Sequence, residues 1–434
     1  MRALCVLVMA LSVAVLRAQQ LPPFPFEVPN ENGWDDYAKA AELMRAEGRP
    51  QAGDLFAQGR LPLTPAPDEL AQWKRVVDAN ADALALIEKG AAEECVIPPD
   101  QALAIFTEPT PPFPHLSQFR ELARLLVLAA YYRLATGDRS GAAAALADAI
   151  KLGQGLERGG TLIHRLVGIA GETIALGSIH DLVMGRMLDA DALALLATRL
   201  AAIEAQRPPL STAWVMEEHG VSRLPDNRFP GAPNQAAEVR RQVLGVQEWM
   251  TRTAGRPFRE AVAADLYVPA GPLDPAIADA LIGGPGVFRK TLERDTATLA
   301  VLRGVQIMIA LERHKLVKGE YPKALDALVP EYLATLPEDP FSEKSFIYAG
   351  GQEPYRLYSV GANMTDEGGV ADRPLDPSAL DLVFNIERPA EPAAPPPAAP
   401  DLGAAQGPFG PEPFPGYAAA VGWLVAQDLW LPQF

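Results

Sequence analysis

The chain has 434 residues, with 38 Lys and Arg against 54 Asp and Glu and a net charge of −16. That length allows two or three domains and a large buried core, and the acidic balance excludes nucleic acid as a main partner, because phosphate binding draws on clustered cations. Apolar residues make up 49%, too many for a disordered chain, and Cys5 and Cys95 are too few for a disulfide scaffold.

Residues 1–18 read as a secretory signal peptide. Arg2 supplies the positive start, Ala3 to Leu16 the apolar run and Ala18 a small residue for cleavage. The run is short for a membrane span, which needs about 20 residues. An exported chain, periplasmic or extracellular, is therefore expected, with membrane contact only through an uncleaved N-terminus or the apolar C-terminal segment. Cleavage leaves Cys95 as the only thiol, and its neighbours Glu93 and Glu94 disfavour a reactive thiolate.

Residues 19–31 are Pro-rich and form an extended lead-in. A helical domain is expected over 32–289. Trp34, Tyr37, Ala38, Ala41 and Leu43 mark a first helix. A second, capped by Asp68, carries Leu70, Trp73, Val76, Val77, Leu84 and Ile87 at helical spacing. Phe119 to Gln206 is almost continuously helical, broken at Gly137-Asp138 and divided into segments that include Leu162–Met184 and Asp189–Ala205. The short turns imply antiparallel neighbours, and Gly168, Gly171 and Gly177 allow close contact. The pair around Gly137-Asp138 resembles one tetratricopeptide-like unit, but no 34-residue period accompanies it, so a helical bundle or irregular helix array is expected.

Beyond residue 289 the pattern changes. Leu292 to Val317 reads as a long helix stopped by Gly319. Residues 346–348, 355–360 and 382–386 read as short strands, the first two joined through Gly350-Gly351. Residues 388–416 are a Pro- and Ala-rich linker. Residues 417–434 form an apolar end with Val421, Trp423, Leu424, Leu429 and Trp430.

One stretch carries recognisable motifs. Gly319-Glu320-Tyr321-Pro322 follows the long helix; Leu325, Leu328 and Leu336 precede Asp339-Pro340-Phe341; and Tyr355 to Val360 leads into Ser359, Gly361 and Asn363. In this order and spacing, residues 291–387 resemble the C-terminal domain of the major pseudopilin of type II secretion systems. That family has a helix ending in G-x-Y-P, a short leucine-rich helix, a D-P-[WF] turn and a strand entering S-x-G-x-[DN]. The resemblance implies a C-terminal α+β domain over 290–387, a long helix with a small antiparallel sheet. The prepilin-peptidase site and long apolar helix that start a pseudopilin do not adjoin this segment. The module is therefore read as reused on an exported helical protein.

The resemblance also implies calcium in the loop after the S-x-G strand. Ser359, Asn363 and Asp381 match the family's motif, with Asp366 and Asp372 in the intervening loop. Calcium takes six to eight oxygen ligands, and Asp, Asn and Ser supply such oxygens.

Other chemistry is scarce. His115, His164, His180, His219 and His314 form no H-E-x-x-H, and Glu217-Glu218-His219 sits on one helix where neighbours point apart. Gly283 to Gly286 lacks the Lys-Ser/Thr of a phosphate cradle, and no G-x-S-x-G occurs. The expectation is a noncatalytic binding or envelope-assembly protein with a protein partner. The alternative is a secreted hydrolase using carboxylates in a cleft of the helical domain.

Overall fold

The computed structural model describes residues 23–44, 48–57, 60–107, 114–224, 236–264, 284–351 and 353–386. The expected signal, linker and apolar C-terminal end lie outside these residues. Within them the chain is mainly helical, with small antiparallel sheets in its C-terminal region.

Asn32 starts the fold. Its buried side chain accepts from Trp34 N and Val96 N and donates to Val96 O, so it both caps α1 (Gly33–Met44) and ties it to the backbone at Val96. After the short α2 (Gly53–Phe56), the stretch expected as one helix from Asp68 to Ile87 is two, α3 (Pro67–Ala79) and α4 (Ala81–Ala92). Pro67 occupies the first turn, and Glu69 accepts the Ala66 amide at 2.7 Å, so Asp68 is not the cap. The break falls at Asn80, fully buried, whose amide donates to Pro50 O and Val76 O. Helix α1 lies close on α4, and a Cβ on Gly33 would sit 2.4 Å from Gly90 O.

After α5 (Pro99–Thr107), three long helices form the centre: α6 (Pro114–Ala135), α7 (Arg139–Glu157) and α8 (Leu162–Met184). Asp138 caps α7 by accepting from Gly141 N at 2.8 Å, and Gly137 takes the left-handed turn at φ 93°. Helices α7 and α8 meet where Gly153 faces Gly168, each leaving no room for a side chain. Helix α8 is long and apolar enough to cross a membrane by length and composition, yet it is enclosed by its neighbours as the central core helix. Asp189 caps α9 (Ala190–Ala205), accepting from Ala192 N, as the sequence predicts. Then come α10 (Ser211–Ser222), α11 (Ala236–Ala254) and α12 (Phe258–Ala263).

The long C-terminal helix α13 (Gly284–Lys318) begins eight residues before the expected Leu292. Phe288 anchors this extra length between Trp214 and Trp249, with ring centroids 5.4 and 5.3 Å away. Gly319 ends the helix at φ 83°. Strands β1 (Glu338–Asp339) and β2 (Lys344–Ser345) pair antiparallel. Strands β3 (Ile347–Ala349), β4 (Arg356–Ser359) and β5 (Leu382–Val383) form a second antiparallel sheet with β4 central.

Helix α13 packs chiefly along α8 and α9, and also against β1 and β4. Phe384 lies on Gly304, Phe341 meets Phe258 edge-on at 4.9 Å, and one contiguous apolar core runs from Trp34 to Phe384.

Candidate functional site

The motif residues of the C-terminal region first do structural work. Asp339 is buried, and its Oδ1 accepts from Phe341 N at 3.0 Å and Ser359 Oγ at 2.9 Å. Burial lifts its carboxyl above the usual range against these hydrogen bonds. Ser359 Oγ accepts from Gly361 N, and Gly361 needs its glycine because φ is 64° and a Cβ would meet Leu380 O at 2.6 Å. The D-P-F and S-x-G motifs are thus two halves of one hydrogen-bonded corner.

The predicted calcium residues are distributed along this loop. Asp381, fully buried, uses Oδ2 to accept from Gly369 N at 2.8 Å and Val370 N at 3.4 Å, and Oδ1 faces Glu367 N. Asn363 donates to Glu367 Oε1 at 3.0 Å. Asp366 accepts from Tyr358 Oη and Gly368 N, Ser359 turns to Asp339, and Asp372 is exposed. Asn363 meets Glu367 through its side chain, while Asp381 meets Glu367 only through the Glu367 backbone amide. The structure does not gather Asp366, Asp372 and Asp381: no group of three or more His, Cys, Asp or Glu spaced to hold a metal ion occurs among the described residues. The donor types suit calcium, but the carboxylate most deeply placed is already engaged by backbone amides.

A charge network missing from the sequence reading lies in the helical body. Arg165, 1% exposed, donates to Asp295 Oδ1 and to Pro208 O and stands 2.9 Å from Glu157 Oε2. Arg207 donates to Glu172 Oε2 and to Asp295 Oδ1. Three carboxylates thus face two guanidiniums, with α7, α8, the α9–α10 link and α13 each contributing. Neither Glu157 oxygen has an aligned hydrogen bond despite the short contact.

Burial expels the surplus negative charge. It pushes Glu157 up to about 8 and raises Glu172, against the pull of Arg165 and Arg207. Burial also opposes ionisation of Asp295, but the two arginines overcome it and hold that carboxyl below the usual range. Arg165 and Glu172, seven residues apart inside the most apolar helix, were the visible signal.

An open cleft lies elsewhere on the body, between α4, α7 and α9 with the end of α6 at one side. Its volume is about 440 Å³. Buried Ala91, Ala147 and Ile203 and half-buried Ala144 line its depth, and exposed Ala92, Ala202 and Gln206 stand at its rim. Three cations reach it from three helices. Arg133 pairs with Glu88 at 2.5 Å, Arg199 pairs with Asp148 at 2.8 Å, and Lys151 Nζ donates to Ala91 O. Burial raises Asp148 and lowers Lys151.

The histidines do not share a site. His164 Nδ1 faces Thr161 at the start of α8, while His180 Nε2 contacts Phe384 O at 2.6 Å near its end. His219 stacks on Phe24 at 4.3 Å, His314 Nδ1 contacts Glu320 O, and the His115 side chain lies outside the described residues. Glu217 accepts the Leu162 amide at the N-terminus of α8, where the helix dipole favours a carboxylate. Its neighbour Glu218 is pushed up to about 7 by burial and by Glu248.

Against this geometry, comparison with known proteins adds no relative: no family model, no curated protein and no solved structure matches the chain.

Proposed function

We propose that the chain is an exported, noncatalytic binding protein that serves envelope assembly, a helical platform carrying a pseudopilin-like α+β module. The observation that carries this reading is the cleft between α4, α7 and α9. Its small-residue lining admits another molecule close to the helix backbones, and its paired arginines present fixed donors. A volume of about 440 Å³ falls within the usual range of binding pockets, roughly 300–1,000 Å³. Export is supported by the charged, apolar and small-residue order of residues 1–18. Calcium remains part of the proposal as a ligand of the 359–381 loop, and the binding role does not depend on it.

A photoreactive phenylalanine analogue at Thr198, one helical turn before Ala202, tests the cleft in intact cells. The expected result is a discrete adduct to an envelope protein that disappears when Ala202→Trp fills the cleft. The same probe at Arg289, on α13, is expected to give none. An adduct that survives Ala202→Trp, or no adduct at Thr198, overturns the reading. Cell fractionation tests export, and retention in the cytoplasm refutes it. Calcium calorimetry on wild type and Asp381→Ala tests the loop; no heat in either removes the ion.

A further inference from the structure

The chain carries an excess of acids, 54 against 38 cations, yet the cleft reverses that balance locally. Arg133, Lys151 and Arg199 face it from α6, α7 and α9, against Glu88 and Asp148. Each of those carboxylates holds one arginine, so both arginines are oriented and largely neutralised. Lys151 is different. Its ammonium donates to the Ala91 carbonyl, and no carboxylate pairs with it among the described residues. One unbalanced positive charge therefore sits at the wall of a half-apolar cavity, on a side chain that is neither fully buried nor free in solvent.

We infer that the cleft binds a ligand bearing a single carboxylate on a short apolar stem, with Lys151 as the counter-charge and the small-residue lining receiving the stem. This rests on the binding role proposed above and names the chemistry recognised there. One negative charge fits the arithmetic: it neutralises the cleft, whereas a dianion meets Glu88 and Asp148 as well as the cations. The lining limits the stem, because the side chains that reach the cleft's depth are small or apolar, Ala91, Ala144, Ala147 and Ile203, and suit a chain of methylene or methyl groups. Lys151 is held in place by Ala91 O, so little side-chain freedom is lost on binding. The lowering of the Lys151 proton affinity by burial agrees with a charge that gains from a partner. The carboxylate can be that of a small organic acid or the C-terminus of a peptide; the chemistry is shared.

Calorimetry on the full chain in low-salt buffer separates these cases with three probes: hexanoate, N-acetylated trialanine with a free carboxylate and the amide of that same N-acetylated trialanine. The acids are expected to bind, and the amide to bind at least about tenfold more weakly, the loss of one charge-assisted hydrogen bond. Lys151→Met is expected to weaken both acids by about the same factor while leaving the melting temperature near wild type. Ala144→Leu, which narrows the half-buried wall and keeps Lys151, is expected to weaken them too, and it stands in if Lys151→Met fails to fold. Tighter binding of trialanine than of hexanoate identifies a peptide terminus, and equal or weaker binding identifies a small acid. Equal binding of acid and amide overturns the carboxylate inference while the cleft remains a binding site. No binding of any probe to wild type, or no effect of either substitution, also overturns it. The platform reading then stands or falls on the Thr198 cross-link.

Discussion

Glu157→Gln is the sharpest test of the buried network. Glu157 is fully buried between Arg165 and Arg207 and holds its proton up to about 8, against an ordinary value of 4.5. Below pH 4.5 the folded and unfolded chains both carry this proton, so the group costs nothing. Between 4.5 and about 8 the folded chain keeps a proton that the unfolded chain gives up, so stability falls as pH rises. Above that window the cost is complete. At about 1.4 kcal/mol for each pH unit, the ceiling is on the order of 4–5 kcal/mol. Glu157 and Glu172 titrate as a pair, which brings the loss below that ceiling.

Glutamine keeps the shape of the protonated acid and cannot ionise. The variant should match wild type near pH 5 and exceed it by several degrees in melting temperature at pH 9. Thermal scans of both proteins across pH 5 to 9 measure the difference. Glu218 adds a slope of the same sign to both proteins and cancels. Asp295, held low by the arginines, loses its contribution only below this range. An identical pH slope in the two proteins, or a variant less stable at pH 9, refutes the account.

Arg207→Ala strips Glu172 of its cation and is expected to cost about 3–5 kcal/mol, with Arg207→Lys recovering only part because an ammonium cannot span Glu172 and Asp295 together; chemical denaturation checks both. Gly168→Ala places a Cβ 2.5 Å from Gly153 O and should cost roughly 1–3 kcal/mol, whereas Gly171→Ala meets Ala123 at an ordinary 3.6 Å and should be neutral or gain up to about 1 kcal/mol of helix propensity. Equal effects would mean α7 and α8 are not in contact there. Asp381→Ala, measured in EDTA, should cost about 2 kcal/mol through its lost amide bonds; a cost that appears only with calcium assigns the loop's order to the ion. The fragment 284–386 should unfold without a cooperative transition, and a sharp melt would show it to be an independent domain.

Elements whose ends are set by local chemistry were readable from sequence. Asp138 and Asp189 cap the helices they precede, and Gly319 takes the left-handed stop. The strands around 347, 357 and 382 follow their apolar and aromatic patterns. Where tertiary contacts decide, the reading failed. Asn80 looks like a tolerable polar residue within a helix until Pro50 O claims its amide, and the helix divides there. The start of α13 reads as loop because Gly283 to Gly286 dominates its composition, while Phe288 is held by tryptophans from two distant helices. The candidate site was less legible still. The calcium residues have suitable oxygens, but Asp381 and Asp366 serve nearby amides and a tyrosine, which no residue count reveals. Glu88, Arg133, Lys151 and Arg199 share a cleft although more than a hundred positions separate the first from the last.

Helix α13 is the wall common to both parts of the molecule. Asp295 locks it to Arg165 and Arg207, and Arg303 bridges Glu204 on α9 to the Glu338 carbonyl of the C-terminal region. Gly304 then receives Phe384, whose carbonyl contacts His180 on α8. A module built this way cannot move as a unit without exposing Phe341, Phe384 and the apolar face of α13. The same network reaches the cleft through chain continuity. Glu157 lies on α7 six residues beyond Lys151, and Arg207 directly follows Gln206 at the cleft border. The ion pairs therefore hold the two helix ends that set the cleft's width, and a change that loosens the network should weaken ligand binding without altering any residue that touches the ligand. Replacing the buried charges by apolar groups of equal volume is expected to preserve the core and to loosen the placement of Lys151 and Arg199.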